Sequence, residues 1–490
     1  MEASTGLSSY AGEILQAIGN ENVNGIVRPI DILALQEMKD GGFTIESQIV
    51  NILNGIYGAG TYAYSTLNAT GDGYEKVGMV YNTKTVQIID QVAFKDPAAP
   101  RKTGRYHFRI IGYGSNADIY VYCDHYKAYD VSTDIYDRAM EALRVRWDKY
   151  YGGDSLAAGT NIIYLGDYNL DNPFDDAVMG SYDTTASGGY DNPWYYLVDL
   201  VNLPGPVGSV YVSTGNGQAV DPGGFTQLVN WNCSQYEIFS TYSSTTPMSR
   251  IDFQLISNSL YDGRGMSLIK PGLGNCRASQ TSYHAFCNDG TFTYGGRLVD
   301  AVGSKYNQTL VYHATLCSDH LPVVADYQTP AVMSVEVNLP TGQIIQGSQA
   351  VAYVAICNDA NVTASVGADQ LDYQIQVLSG GTLIGDSNGV AYALDGNNVH
   401  EVLLDTSTAG SNSLHINVTS SSEACVNASY DQSFVYSTGE SELTLTGFAS
   451  AWLSAEGDAN YNLQYDLNSD NVIDFRDFAI FATMWSSDSL

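Results

Sequence analysis

Basic residues are scarce in this chain. Its 490 residues carry 21 Lys and Arg against 53 Asp and Glu, a net charge of −32. Such a field keeps a protein soluble and repels polyanions. Binding nucleic acid by charge alone relies on Lys and Arg neutralising phosphates, so the composition argues against a passive nucleic-acid binder. It does not exclude a metal-dependent enzyme acting on phosphates, because bound cations reverse the local field. No apolar run reaches 18 residues, so no transmembrane helix is expected. Met1, Glu2, Ala3, Ser4 and Thr5 offer neither a basic nor an apolar leader, so no signal peptide is visible. Cysteine is sparse as well, with 7 residues. Cys276 and Cys287 could close a small disulfide in a Gly/Ser/Asn-rich loop, and Cys357 and Cys425 could bridge a β-sandwich. Cys123 lies inside an apolar run and reads as a buried thiol, and the odd count leaves at least one unpaired.

What is present is globular: 44% hydrophobic residues, 48 Gly and 37 Tyr, which suits loop-rich, β-containing structure over two to four domains. Residues 1–328 read as alternating strands and helices. Strands are expected at Ile30–Leu35, Val77–Tyr81, Asp118–Cys123, Ile162–Leu165, Ile251–Ile256 and Val323–Tyr327. Helices are expected at Tyr10–Ile18 and Asp137–Tyr151. The strand runs are nearly continuously apolar, as in a sheet covered on both faces. Long Gly/Asn/Ser/Tyr-rich loops occupy 170–250 and 258–313, and such loops more often carry specificity than scaffold. After Thr329 and Pro330 the pattern changes. Residues 333–437 alternate with period two between turns, which predicts an all-β, immunoglobulin-like sandwich of about seven strands. Residues 438–490 turn helical, with Phe448-Ala449 and Phe478-Ala479 marking a partly degenerate two-helix repeat.

In the first region, polar residues sit at the ends of buried runs. Leu35-Gln36-Glu37 ends one strand and Cys123-Asp124-His125 another. Leu165-Gly166-Asp167-Tyr168-Asn169 ends a third. Asp167 and Asn169 are two apart, and in a strand they share a face. Ile251-Asp252 opens a fourth, and Ser318-Asp319-His320-Leu321-Pro322 leads into a fifth. Each alone reads as a turn or a solvated strand end. Together they point to one functional rim. Lys127 and Arg250 are as readily solvated side chains as charges on that rim.

In these elements, over roughly residues 10–328, the chain resembles the endonuclease/exonuclease/phosphatase superfamily. The resemblance implies the deoxyribonuclease-I-like fold, a four-layered α/β sandwich. It implies that Glu37 binds Mg²⁺ or Mn²⁺ and that Asp319 helps to hold it. Asp167 would orient or deprotonate water, and Asn169 and His125 would donate to phosphate. His320 would contact the same phosphate, oriented by Asp252. Family members begin with a strand ending in an Asn that faces the metal. Residues 1–9 contain no apolar run, so that strand is expected to be missing.

Residues 466–477 carry oxygen ligands at the spacing of a calcium loop: Asp466, Asn468, Asp470, the Val472 carbonyl, Asp474 and Asp477. Asn471 stands where Gly is usual, and Asn tolerates the left-handed backbone required there. The segment resembles a dockerin repeat, which implies one Ca²⁺, a cohesin-like or cell-surface partner, and a secreted or surface location. The functional expectation is a secreted metal-dependent phosphodiesterase, an endonuclease first. The alternatives are a sphingomyelinase-like lipid phosphodiesterase or phosphomonoesterase, and a catalytically silent scaffold.

Overall fold

The computed structural model describes residues 7–38, 43–70, 76–95, 97, 99–129, 131–150, 156–157, 159–169, 212–213, 219–220, 241–242, 244–245, 251–269, 282–289, 291, 296–342, 344–439 and 445–487. Much of the two long loops and Cys276 lie outside them. The chain forms two units. The first comprises Met1–Ala331 with Ala360–Gln370 and Ser422–Val426, and the second holds the rest.

In the first unit, α1 (Ala11–Asn20) precedes β1 (Ile32–Met38) and α2 (Thr44–Tyr57). Then come β2 (Tyr62–Tyr64), β3 (Ala69–Thr70), β4 (Lys76–Asn82), β5 (Val86–Phe94), β6 (Thr103–Ile110) and β7 (Ile119–His125). Helix α3 (Ser132–Tyr150) crosses from β7 to β8 (Asn161–Asp167), and β9 (Asp252–Ile256) follows. One sheet runs β1-β4-β2, with β3 beside β4, and the other runs β9-β8-β7-β6-β5. The pair β7/β8 is parallel, as a helical crossover requires, and its neighbours are antiparallel.

Alternation along β1 explains how the layers stack. Leu33 and Leu35 join α1 and α2 residues Leu15, Ile45, Ile49 and Leu53. Ile32 and Ala34 face the opposite way, against a cluster holding Phe108, Val121 and Ile163 of the second sheet. Helix α3 adds Ala139, Ala142 and Val145 to that cluster. Each fully buried aliphatic side chain contributes about 1.5–3 kcal/mol. This is the α/β arrangement of two packed sheets and flanking helices that the resemblance implies.

Several boundaries differ from expectation. Strand β1 continues to Met38, because a bulge between Leu35 and Met38 lets pairing with β4 resume at Lys76. The run expected at Val323–Tyr327 divides into β12 (Val323–Val324) and β13 (Tyr327–Gln328). These pair with different partners, β11 (His284–Ala285) and β10 (Ser267–Leu268) respectively. Between them on the chain, α4 (Gln308–Cys317) precedes β12 and is capped by Asn307, whose side chain accepts from the Thr309 N–H at 2.7 Å.

In the second unit, β14 (Met333–Asn338), β16 (Val351–Asn358), β18 (Gly381–Ile384) and β20 (Asn398–Leu404) form a sheet ordered β14-β16-β20-β18. The other sheet holds β15 (Ile344–Ile345), β17 (Leu371–Ser379), β19 (Asn388–Ala391), β21 (Gly410–Ser420) and β22 (Ser429–Gly439). Alternate residues are buried, as at Leu414, Ile416 and Val418 on β21 and at Ala352, Val354 and Ile356 on β16. This β-rich region is consistent with a sandwich, with nine strands among the described residues instead of about seven. The additional ones are short and escape a period-two count. Cys357 is a free thiol, and so are Cys123 and Cys287. The expected bridge between Cys357 and Cys425 is therefore absent, and Cys123 is buried in β7 as read. The segment ends in α5 (Leu445–Ala451) and α6 (Phe475–Ser487), with Phe448 stacked on Phe481 at 5.0 Å.

Candidate active site

Three neighbouring strands place one side chain each at the same rung. In the parallel ladder His125 of β7 lies beside Asp167 of β8, and in the antiparallel ladder Asp167 lies beside Asp252 of β9. Side chains on one face at adjoining rungs meet directly. The fourth comes from the other sheet. Glu37 sits in the bulge of β1 with φ of 55°, and there it reaches within 3.4 Å of His125 Nε2 through Oε1. His125 Nε2 is also 3.6 Å from Asp167 Oδ2. The fifth is His320, just before β12, whose Nδ1 bonds Asp252 Oδ2 at 2.8 Å. Ligand atoms of Glu37, His125 and Asp167 lie within 4.8 Å of one another, and so do those of Asp167, Asp252 and His320. Asp167 belongs to both groups and joins them.

The electrostatics of this convergence are specific. Burial, then the Asp252 carboxylate, pushes Asp167 well above the usual carboxylate range. Burial opposes charge on His320, but the Asp252 carboxylate outweighs it by charge and hydrogen bond, raising the imidazole from 6.5 to about 9. His320 is thus a cation at neutral pH. Its contribution to stability is complete below pH 6.5 and is lost as pH rises through about 9. The expected result is that the melting-temperature gap between the wild type and Asp252→Asn narrows across that window. A gap independent of pH would refute the ion pair.

Three carboxylates and two imidazoles meeting in a buried place call for added positive charge. Oxygen donors of this kind suit a hard divalent ion such as Mg²⁺ or Mn²⁺. The donor set therefore fits the metal that the resemblance implies.

Not every expected residue arrives as read. Asn169 does not share a strand face with Asp167, because β8 stops at Asp167 and Asn169 turns left-handed with φ of 50°. A turn holds the two together instead: Asp167 Oδ1 accepts the Asn169 N–H at 2.9 Å. The Asn169 amide donates to the Tyr126 carbonyl at 2.9 Å. The Asp319 side chain is exposed and belongs to neither acid–imidazole group, while its carbonyl accepts the Ser244 N–H at 2.6 Å. Lys127 is engaged with Asp134 at 3.1 Å. Arg250 lies outside the described residues.

Other contributors escaped the reading of the sequence. Gly166 lets β7 and β8 approach, since a Cβ there would stand 2.1 Å from the Asp124 carbonyl oxygen. Asp124 alternates to the face opposite His125 and is fully enclosed. It accepts from Thr103 at 2.8 Å and from the Tyr164 hydroxyl at 2.8 Å. Burial raises it to about 7. Tyr164 also meets the Tyr126 hydroxyl, and Arg101 donates to the Tyr126 carbonyl. This network props the strand ends from behind. The cluster of Tyr at 126, 164 and 168 beside the rim motifs was the available signal. Tyr242 packs its ring 5.0 Å from that of His320.

At the other end of the chain, ligand atoms of Asp466, Asp470 and Asp477 lie within 4.8 Å of one another. Asn471 adopts φ of 65°, the left-handed conformation expected of it. Asp474 gives its N–H to Asp477 Oδ2 at 2.9 Å, and the Asn468 amide donates to Asp470 Oδ2 at 3.0 Å. Val472 pairs with Ala455 in an isolated antiparallel bridge.

No curated protein sequence matches the chain. Among solved structures, the human nocturnin catalytic domain with bound sulfate is 14% identical, with a TM-score of 0.34 over 66% of this chain and 87% of that one. ANGEL2, a 2′,3′-cyclic phosphatase in complex with adenosine-2′,3′-vanadate, is 13% identical, with a TM-score of 0.32 over 60% and 81%. An endonuclease/exonuclease/phosphatase from Beutenbergia cavernae is 11% identical, with a TM-score of 0.31 over 86% and 93%. Likenesses this low say nothing of substrate. The family model for the Endonuclease/Exonuclease/phosphatase family matches residues 7–320, which include all five rim residues. The chain belongs to the endonuclease/exonuclease/phosphatase family.

Proposed function

We propose that this protein is a metal-dependent phosphoric-ester hydrolase that cleaves phosphodiester bonds of nucleic acid by in-line attack of water. The family hydrolyses phosphoester bonds, and neighbours in it act on nucleic-acid or phosphate-ester substrates. The observation that carries the reading is the joining of Glu37, His125, Asp167, Asp252 and His320 through Asp167. Glu37 would hold Mg²⁺ or Mn²⁺, with His125 and Asp167 beside it. The ion would supply charge neutralisation at phosphate. Asp167 receives the proton of the attacking water. His320, charged and held by Asp252, donates to a phosphate oxygen as negative charge builds there. His125 and Asn169 donate to the same group. The work is mainly positioning and charge compensation.

The test incubates the chain with plasmid DNA, RNA, sphingomyelin, a simple phosphodiester and a phosphomonoester, each with Mg²⁺ and with EDTA. Nucleic-acid cleavage that EDTA abolishes supports the proposal. Turnover confined to sphingomyelin or to the monoester would replace its substrate. No turnover of any substrate would favour a silent scaffold.

The C-terminal loop supports a second role. Asp466, Asn468, Asp470, the Val472 carbonyl, Asp474 and Asp477 form a Ca²⁺ site of dockerin type, and the convergence of ligand atoms of Asp466, Asp470 and Asp477 within 4.8 Å favours this reading. A weak site of this kind fills where Ca²⁺ is millimolar, which suits a secreted or surface protein docked on a cohesin-like partner. Calorimetric titration of the full chain with Ca²⁺ should show one site that Asp466→Ala removes. Equal Ca²⁺ binding by that variant would sink the assignment.

A further inference from the structure

The strand that carries Glu37 stands at a choice of register. Leu35 of β1 pairs with Gly78 of β4, and unbroken antiparallel pairing would next set Gln36 against Val77 and Glu37 against Lys76. Glu37 would then share a face with Leu33 and Leu35, which pack on the helices. The structure takes the other course. Met38 stands opposite Lys76, so Gln36 and Glu37 together oppose Val77. Both turn toward the second sheet: Gln36 donates to Cys123 Sγ at 3.3 Å, and Glu37 Oε1 reaches His125 Nε2 at 3.4 Å. This course is locally unfavourable, since Glu37 becomes left-handed with φ of 55°.

Lys76 is the reason the choice matters. Alternation along β4 places it on the helix face with Gly78 and Val80, and it is buried there. Its Nζ lies 2.7 Å from Oε1 of Glu46, in the first turn of α2, and 4.1 Å from the ring centre of Phe43. Glu46 is wholly buried. Gly78 leaves the room: a Cβ there would stand 2.5 Å from Met38 Cε and 2.8 Å from Glu46 Oε1. Met38 and Glu46 thus meet over this glycine, with Lys76 beside them on the same face.

A buried ammonium group draws carboxylates, because burial of a charge is costly unless it is paired. In the observed register Glu46 from the helix meets Lys76. In the unbroken register Glu37 from the opposite strand would meet it, since opposite charges directly across an antiparallel pair attract. The unbroken register would also relieve the left-handed backbone at Glu37. Glu46 therefore competes with Glu37 for one cation, and its success leaves Glu37 free to face His125.

We propose that Glu46 is a positioning residue for Glu37: by holding Lys76 it keeps β1 in the bulged register, and the bulge aims Glu37 at the site. Glu46 acts through Lys76 and the register, not by contact with substrate. The inference rests on the reading of Glu37 as the residue that would hold Mg²⁺ or Mn²⁺. It carries an asymmetry. Loss of Glu46 lets Lys76 draw Glu37 to the helix face. Loss of Lys76 as well leaves that face without this cation, and a carboxylate buried there unmatched is unfavourable, so the bulge holds. An ion pair that only stabilised the fold would show no such rescue.

The test compares wild type, Glu46→Gln and Glu46→Gln/Lys76→Met in the full chain, each carrying Asp466→Ala to silence the C-terminal loop. Circular dichroism first shows each to be folded. Two quantities are read without substrate: Mn²⁺ affinity by electron paramagnetic resonance, and the β1/β4 register in crystals of the metal-free protein. Glu46→Gln should set Glu37 opposite Lys76 and weaken Mn²⁺ binding by about 10–100-fold, the range for residues that orient a metal ligand. The double variant should recover the bulge and most of the affinity. Should Glu46→Gln not fold, Glu46→Asp, which keeps the charge and shortens its reach, is read in the same way with the same rescue. An intact bulge in the Glu46 variant would overturn the proposal, whatever its affinity. So would equal loss of affinity in the double variant. If wild type binds no Mn²⁺, the reading of Glu37 as a ligand fails, while the register in metal-free crystals still decides the role of Glu46.

Discussion

Asp167→Asn should lower phosphodiester turnover by about 10²–10⁴-fold without lowering the melting temperature. The two halves of this expectation share one cause. Burial first, and then the carboxylates of Asp252 and Glu37, raise the pKa of Asp167. An amide of the same shape removes a buried like-charge clash, so the folded state gains or holds its stability. The same amide cannot take a proton from water, so the chemistry stops. A site that functions at the expense of stability behaves in this way. His320→Ala should lower turnover by a similar order, and it should also lower stability below pH 9, because Asp252 then loses its cation. The measurements are single-turnover rates with Mg²⁺ and thermal unfolding of the same samples. Undiminished turnover in both variants would dismiss the residue assignment. A fall in rate that tracks a fall in melting temperature for Asp167→Asn would assign that residue a structural role instead.

Gly166→Ala carries the largest expected effect on folding. A Cβ at this position would stand 2.1 Å from the Asp124 carbonyl oxygen and 2.8 Å from its carbonyl carbon. Both are backbone atoms of the adjoining parallel strand, so no side chain can swing aside. Either β7 or β8 must shift, and both end in site residues, His125 and Asp167. Overpacking between well-ordered elements costs about 1–3 kcal/mol, occasionally more, and backbone against Cβ lies at the upper end. The backbone of Gly166, with φ of 157°, adds to the strain on any other residue. Chemical denaturation should show the midpoint shifted well below wild type. A midpoint equal to wild type would mean that the two strands are not held this closely. By contrast Gly60→Ala, where a Cβ would meet nothing within 4 Å, tests φ of 75° alone and should cost about 1 kcal/mol or so.

The site was legible in the sequence where chemistry and strand ends coincide. Glu37, His125, Asp167, Asp252 and His320 each close or open an apolar run, and a run that stops at a polar residue marks a sheet rim whatever the fold. Asn169 was placed correctly in the chain and wrongly in the strand. Period-two alternation holds only while the backbone stays extended, and β8 ends at Asp167, two residues before the left-handed Asn169. Asp319 followed its neighbour His320 in the motif but not in space, since adjacent side chains in extended backbone diverge. The break between β12 and β13 was hidden because one apolar run can serve two partners, and composition does not record which.

From the residues alone came the acidic balance, the change to period two after Thr329 and Pro330, the calcium-loop spacing at 466–477, and the five polar strand ends. These are local properties, carried by residue type and spacing. Tertiary structure decided what no spacing encodes. It set the parallel rung that joins His125 to Asp167, the bulge that carries Glu37 across from the other sheet, and the meeting of five side chains at one carboxylate. Pairing between strands distant in sequence is settled by the packing of the whole unit, because each register is stable only when its neighbours' faces are buried.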